Sequence, residues 1–202
     1  CCVPVYVHRD GRDVRRAVQD AELRCRERVG HDRRKGERDD RAERARRSPP
    51  LLDDKIIAAW NGLAISAFAR GALVLGRNDY RDAARRAADF VLTRMRRPDG
   101  GLWRTHKDGR ARHLGVLDDY AFVVQALLDT YEATGEIRWM DAAIELQRYA
   151  DEHFFDTEVG GYFGTSHTHE ALLARTRPLY DGAEPSGNSV AILNLLRLEE
   201  MT

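Results

Sequence analysis

The sequence is poor in cysteine. Its three thiols, Cys1, Cys2 and Cys25, are odd in number and form no Cys-x-x-Cys pair. That pattern supports neither a disulfide framework nor a zinc knuckle, and a reduced, cytoplasmic setting is the expectation. Lysine is almost missing, with three against thirty arginines. We read this as base-composition bias of the source genome. Excess charge is absent too: Lys+Arg and Asp+Glu both number 33, so no global field draws in nucleic acid or an acidic membrane. No apolar run approaches the roughly 18 residues of a membrane span, and the start carries no signal-peptide pattern. Gly-x-Ser-x-Gly, Walker A and Gly-x-Gly-x-x-Gly motifs are all lacking, which leaves nucleotide-binding and serine-hydrolase readings without support. Nothing in the sequence asks for a cofactor or a metal.

What the sequence does have is apolar content of 43% in 202 residues, enough for a sizeable core. It divides near Pro50. Residues 1–50 read as a linker region: a short strand over residues 3–7, a helix from Asp13, then a stretch over residues 24–50 rich in arginine and poor in large apolar residues. The acids interspersed there and the missing aromatics argue for a solvated helix or mobile linker rather than a nucleic-acid arm. Ser48-Pro49-Pro50 closes the region, since a residue before proline is biased away from helix.

Residues 51–202 are regular. Residues 56–75 are apolar nearly all round, which predicts a helix buried on all sides. Residues 79–97 are amphipathic, with Tyr80, Ala84, Ala87, Val91 and Met95 on one face, as in an outer helix. The same order returns: an apolar helix over 118–134, a short turn at Gly135, and an amphipathic helix over 138–153. A third apolar helix begins near Ser186. Trp60 and Tyr120 lie 60 apart, as do Gly100-Gly101 and Gly160-Gly161, so the unit repeats at fixed period. The expected fold is all-α, an (α/α) hairpin toroid that is incomplete at about five helices. A chain that starts at Cys1 and stops just after an apolar pattern is expected to be a piece of a longer protein.

Inner-to-outer turns are short, while the outer-to-inner returns are long. Each return opens on a double glycine and an aromatic, which predicts a small β-hairpin in both. Long loops on a rigid scaffold carry function. They lead into polar clusters at the inner-helix starts: Asp53-Asp54-Lys55 before Trp60-Asn61-Gly62, then Asp118-Asp119-Tyr120, then Asp181-Gly182-Ala183-Glu184-Pro185-Ser186-Gly187-Asn188. Acids can protonate or hydrogen-bond sugar oxygens, and flat rings can pack on sugar faces. The candidate acid–base residues are Asp119, Asp181 and Glu184. Trp60, Asn61, Asp118, Tyr120 and Asn188 are candidate ligand-binding residues. Capping of the helix start competes for Asp118, and core packing competes for Trp60. His106 and His113 are acid–base candidates or surface residues. His167 and His169 have the look of a metal pair but lack a third ligand.

The stretches at residues 53–63, 117–122 and 181–189 together resemble the bacterial relatives of spermatogenesis-associated protein 20, a family with a thioredoxin-like domain followed by a helical toroid. The resemblance spans about residues 51–200. It implies a six-hairpin barrel similar to N-acylglucosamine 2-epimerases and six-hairpin glycosidases. It also implies a sugar-like ligand and a thioredoxin-like partner domain that this chain lacks. The competing implication is a non-catalytic binding scaffold serving that redox domain.

Overall fold

The computed structural model describes residues 44–47, 53–170 and 173–202. The strand expected at residues 3–7, the helix expected from Asp13 and most of the arginine-rich stretch lie outside the described residues. Residues 44–46 of that stretch form one exposed helical turn.

The elements run in the order β1 (Ile56–Ile57), α1 (Ala58–Leu75), α2 (Asn78–Arg94), β2 (Trp103–Lys107), β3 (Arg110–Leu114), α3 (Leu117–Thr134), α4 (Ile137–Phe154) and α5 (Gly187–Met201). These are the five helices expected from the periodicity. Helix α2 buries Ala83, Ala84, Ala87, Ala88 and Val91, a stripe at helical spacing. Helix α4 likewise turns Trp139, Ala143, Leu146 and Ala150 inward. Helix α3 is apolar nearly all round and is covered nearly all round. Gly76 and Gly135 end α1 and α3 at φ of 62° and 70°, the left-handed cap that glycine adopts without penalty.

The inner helices run parallel. The Ala59 amide at the start of α1 donates to Asp119 at the start of α3 over 2.9 Å, and Arg70 near the end of α1 pairs with Asp129 near the end of α3. Helix α5 follows the same direction: Gly187 abuts Asp118 at one end and Arg197 meets Asp129 at the other. Helices α2 and α4 pack outside this row, so both long returns, from α2 to α3 and from α4 to α5, arrive at the end where the inner helices start.

Helices α1 and α3 approach too closely for a side chain at Gly62. A Cβ there would lie 2.6 Å from the backbone carbon of Phe122. Because the clash is with backbone, it cannot be relieved by a rotamer change. Gly62→Ala is expected to destabilise the full-length protein by about 1–3 kcal/mol despite alanine's better helix propensity, measured by urea denaturation.

Three expectations need correction. The inner helix begins at Ala58, not at residue 56. Ile56 and Ile57 are extended and pair antiparallel with β2, Ile56 opposite His106 and Ile57 opposite Thr105, which suits their β-branched side chains. The first return does form a hairpin, closed by the two-residue turn Asp108-Gly109 at φ of 50° and 74°. The second return does not: it has only the bridge between Phe155 and Tyr162. There the Asn188 side chain accepts from the Tyr162 amide at 2.8 Å and donates to the Tyr162 carbonyl at 2.9 Å, occupying the backbone groups a second strand would use. Finally, α1 is by length and composition alone apolar enough to cross a membrane, with a mean hydropathy of 1.3 over its 18 residues. It also carries Asn61, Ser66 and Arg70, and it packs between α2 and α3.

Candidate functional site

Both returns start from one backbone template. Arg96 bridges Leu102 in the first and Phe155 bridges Tyr162 in the second. Gly100 and Gly160 adopt φ of 90° and 83°. This template fixes where each return leaves its outer helix. The first return then sets β2 against β1, which places Arg104 over the starts of α1 and α3. Lys107 at the far end of β2 is held by Asp54 at 2.6 Å, and that contact lowers the Asp54 carboxyl from its usual range.

Asp119 is the hub of this end. It is the third residue of α3 and fully buried. One carboxylate oxygen accepts from the Ala59 amide at 2.9 Å. The other accepts from the Val116 amide at 2.9 Å and from Arg104 Nη1 at 3.1 Å. The Val116 contact caps α3, since it satisfies an amide that the helix itself leaves unpaired. Burial pushes the Asp119 carboxyl up to about 6, while Arg104 and the two amides pull it the other way. The capping role expected for Asp118 therefore belongs to its neighbour.

Asp118 instead stands half-buried against the start of α5. A Cβ at Gly187 would collide with its Oδ1, so glycine is what lets α5 come this close. Burial raises its carboxyl, the charge of Glu184 raises it further, and Arg104 and the Gly187 amide oppose the shift. Glu184 itself is exposed. Asp181 is exposed as well, and its carboxylate accepts from the Ser186 amide at 2.8 Å, which lowers it. Ser186 caps α5 in turn by accepting from the Ser189 amide at 3.1 Å.

Trp60 lies one residue beyond the amide that Asp119 anchors, and it is 42% exposed; α1 is not covered on all sides as its apolar sequence predicts, since its far end also exposes Leu73, Val74 and Leu75. The Trp60 ring is left open at the same end as Asp118 and Glu184. Three other candidates sit elsewhere. Tyr120 was expected to present a ring to a ligand. It is buried, accepts from the Leu102 amide at 2.8 Å and stacks on Tyr149 with centroids 5.3 Å apart. Asn61 is buried and donates to the Ile57 carbonyl at 2.9 Å. Asn188 is buried, and besides Tyr162 it donates to the Pro178 carbonyl at 2.9 Å. All three are committed to structure. Arg104 is the mouth residue that sequence reasoning missed. It lies in an arginine-rich chain, and only the β2–α3 contact singles it out.

His167 and His169 do not converge on a common point. The His167 ring lies against His153, with Nδ1 at 3.2 Å from the His153 carbonyl, whereas His169 turns toward Ser166. Among the described residues no three His, Cys, Asp or Glu side chains are grouped to hold a metal ion. His113 is exposed on β3 at φ of 61°.

Parallel inner helices, an outer helical layer and long returns gathered at one end define a six-hairpin α/α toroid of the glycosidase and epimerase kind, of which this chain forms part. Its backbone superposes on cellobiose 2-epimerase from Spirochaeta thermophila with a TM-score of 0.55 at 21% identity, covering 71% of this chain and 37% of that one. It superposes on a family 76 α-mannanase from Bacteroides thetaiotaomicron with a TM-score of 0.61 at 18% identity, covering 77% and 42%. No family model matches the chain. The chain is a relative of spermatogenesis-associated protein 20: it is 42% identical to the human protein over 173 residues, 79% of this chain. Those residues are 22% of the human protein, so the chain spans about a fifth of the length of the curated relatives it matches.

Proposed function

We propose that the mouth formed by the inner-helix starts binds a sugar-like ligand, and that Asp118 and Glu184 are the groups that exchange protons with it. The observation that carries this reading is the pairing of a carboxyl raised by burial with a second, exposed carboxyl close enough to raise it further. Two carboxyls in different surroundings divide the work of proton donor and proton acceptor. Asp118, which holds its proton to higher pH, donates to a ligand oxygen. Glu184 accepts. Trp60 offers the flat apolar face that a sugar ring packs on. Asp119 acts through Arg104, holding the guanidinium at the mouth, and Asp181 orders the turn that carries Glu184. The fold shared with sugar epimerases and glycosidases supports a carbohydrate over other polar ligands. Three cysteines without a Cys-x-x-Cys pair support a reducing, cytoplasmic setting for the protein.

A second reading is favoured by the number of candidates that the structure uses for itself: Asp119, Tyr120, Asn61 and Asn188 are all internally bonded. In it the mouth binds without turnover and serves a thioredoxin-like domain elsewhere in the protein. Thermal unfolding of the full-length protein across a panel of neutral sugars, sugar phosphates and uronic acids separates the two. A specific ligand at a hundredfold excess over its dissociation constant stabilises by about 2.7 kcal/mol. The first reading predicts such a shift together with chemical change of the bound sugar. A shift with the sugar recovered unchanged supports the second. No shift with any sugar contradicts both sugar readings.

A further inference from the structure

Between the two returns lies a polar contact that the proposed ligand site does not use. Ser166 is buried, and its amide points at the His169 ring, with Nδ1 at 3.2 Å. A nitrogen that faces a backbone N–H at this distance must present a lone pair. Nδ1 is therefore the unprotonated nitrogen, and the proton of a neutral ring sits on Nε2. Nε2 is itself buried, directed toward the Leu114 carbonyl of the first return without a formed hydrogen bond. The ring packs edge-on against Phe154, with centroids 6.5 Å apart. Ser166 Oγ lies 2.8 Å from Nδ1 and also accepts from the Thr168 amide at 3.2 Å.

The segment held this way is tied to the start of α3. Gly164 accepts from the Leu117 amide at 3.0 Å, the residue before Asp118. The His167 amide donates to the His153 carbonyl at 3.0 Å, and Arg175 donates to the Thr165 carbonyl at 3.0 Å. Residues 164–169 thus form a strap from the end of α4 to the mouth, and His169 is its terminal fastening.

We propose that His169 is a pH-sensitive latch: its neutral ring fastens the strap by accepting from the Ser166 amide, and protonation unfastens it. A proton on Nδ1 would oppose the Ser166 N–H and leave a buried amide without a partner. The charged groups around the ring act in the same direction on balance. Arg97 at the end of α2 and Arg175 in the second return disfavour a second positive charge, Glu170 favours it, and burial disfavours it most, so the ring's affinity for a proton falls below that of an ordinary histidine. His153 and His167 stand beside the strap, with their ring centroids 4.9 Å apart.

The sign follows from linkage. A histidine whose proton affinity is depressed by folding stabilises the fastened state above its unfolded pKa, and that stability is lost as pH falls toward the folded value. This device goes beyond the sugar reading and does not depend on it. The test is amide hydrogen exchange of the full-length protein at Ser166 and Leu117 between pH 7.5 and 5.5, corrected for the intrinsic pH dependence of exchange. Protection of both amides is expected to fall on the order of tenfold across that range. In His169→Phe it is expected to be low and flat with pH, and in His167→Gln the wild-type response is expected to remain. Should His169→Phe fail to fold, nitrogen-resolved NMR of the wild-type imidazole serves instead: the latch requires a proton on Nε2 and none on Nδ1 at pH 7.5. Protection that is constant with pH, a response that survives in His169→Phe, or a proton on Nδ1 would each overturn the proposal.

Discussion

Replacing Asp129 by alanine is expected to cost the protein about 3–5 kcal/mol, read as a lowered urea midpoint at unchanged slope. Asp129 is fully buried on α3, and Arg70 of α1 and Arg197 of α5 meet on its carboxylate at 3.0 and 2.8 Å. One carboxylate thus joins three inner helices. Its removal leaves the Arg197 guanidinium, 12% exposed, without its buried partner. An uncompensated charge in the interior costs more than the pair itself contributes, so the loss exceeds that expected of a surface bridge. Glu132 holds the same guanidinium at 2.8 Å but is itself 40% exposed, so it offsets only part of the loss. A change below about 1 kcal/mol would mean that the inner helices are held by apolar packing alone.

Asp119→Ala is expected to cost a similar amount, about 3–5 kcal/mol, and for a different reason. The carboxylate serves two amides and one guanidinium at once, and the Ala59 and Val116 amides belong to two different helices. Alanine strands both amides, and each buried unpaired group costs about 1–3 kcal/mol. It also frees Arg104. Asp119→Asn keeps one acceptor oxygen but turns an amide N–H toward the remaining donors, so it recovers less than half of the loss. Hydrogen exchange at Ala59 and Val116 checks the assignment: both amides should lose protection in either variant. Loss at only one would show that the carboxylate does not bridge the helices.

These two aspartates show what was legible in the sequence and what was not. Helical periodicity marked α1 to α5, because apolar spacing along one strand of sequence is enough to locate a buried face. The 60-residue repeat marked the equivalent glycine turns, and the structure gives both the same bridge. The starts of the inner helices were likewise legible as polar clusters. The roles within those clusters were not, because a role depends on which neighbour a side chain meets across the chain. Asp118 and Asp119 are adjacent in sequence, yet a rotation of one residue along α3 sends one to Gly187 and the other to Ala59, 60 residues away. The same dependence applies to Tyr120, a candidate ring platform for a ligand, which the packing of α3 turns into the interior. The hairpin expected after Gly160 failed because a side chain, Asn188, took the bonds of a strand, and no local pattern announces that exchange.

The most direct test of the proposed ligand site is calorimetric titration of the strongest sugar from the panel into the full-length protein and into Trp60→Ala, Asp118→Asn and Glu184→Gln. If the mouth is the site, Trp60→Ala weakens binding about tenfold or more. Asp118→Asn and Glu184→Gln then alter turnover more than affinity, and all three variants keep wild-type unfolding midpoints in the absence of sugar. Unchanged affinity in Trp60→Ala, with unchanged turnover in both carboxyl variants, would contradict the account and place the ligand elsewhere.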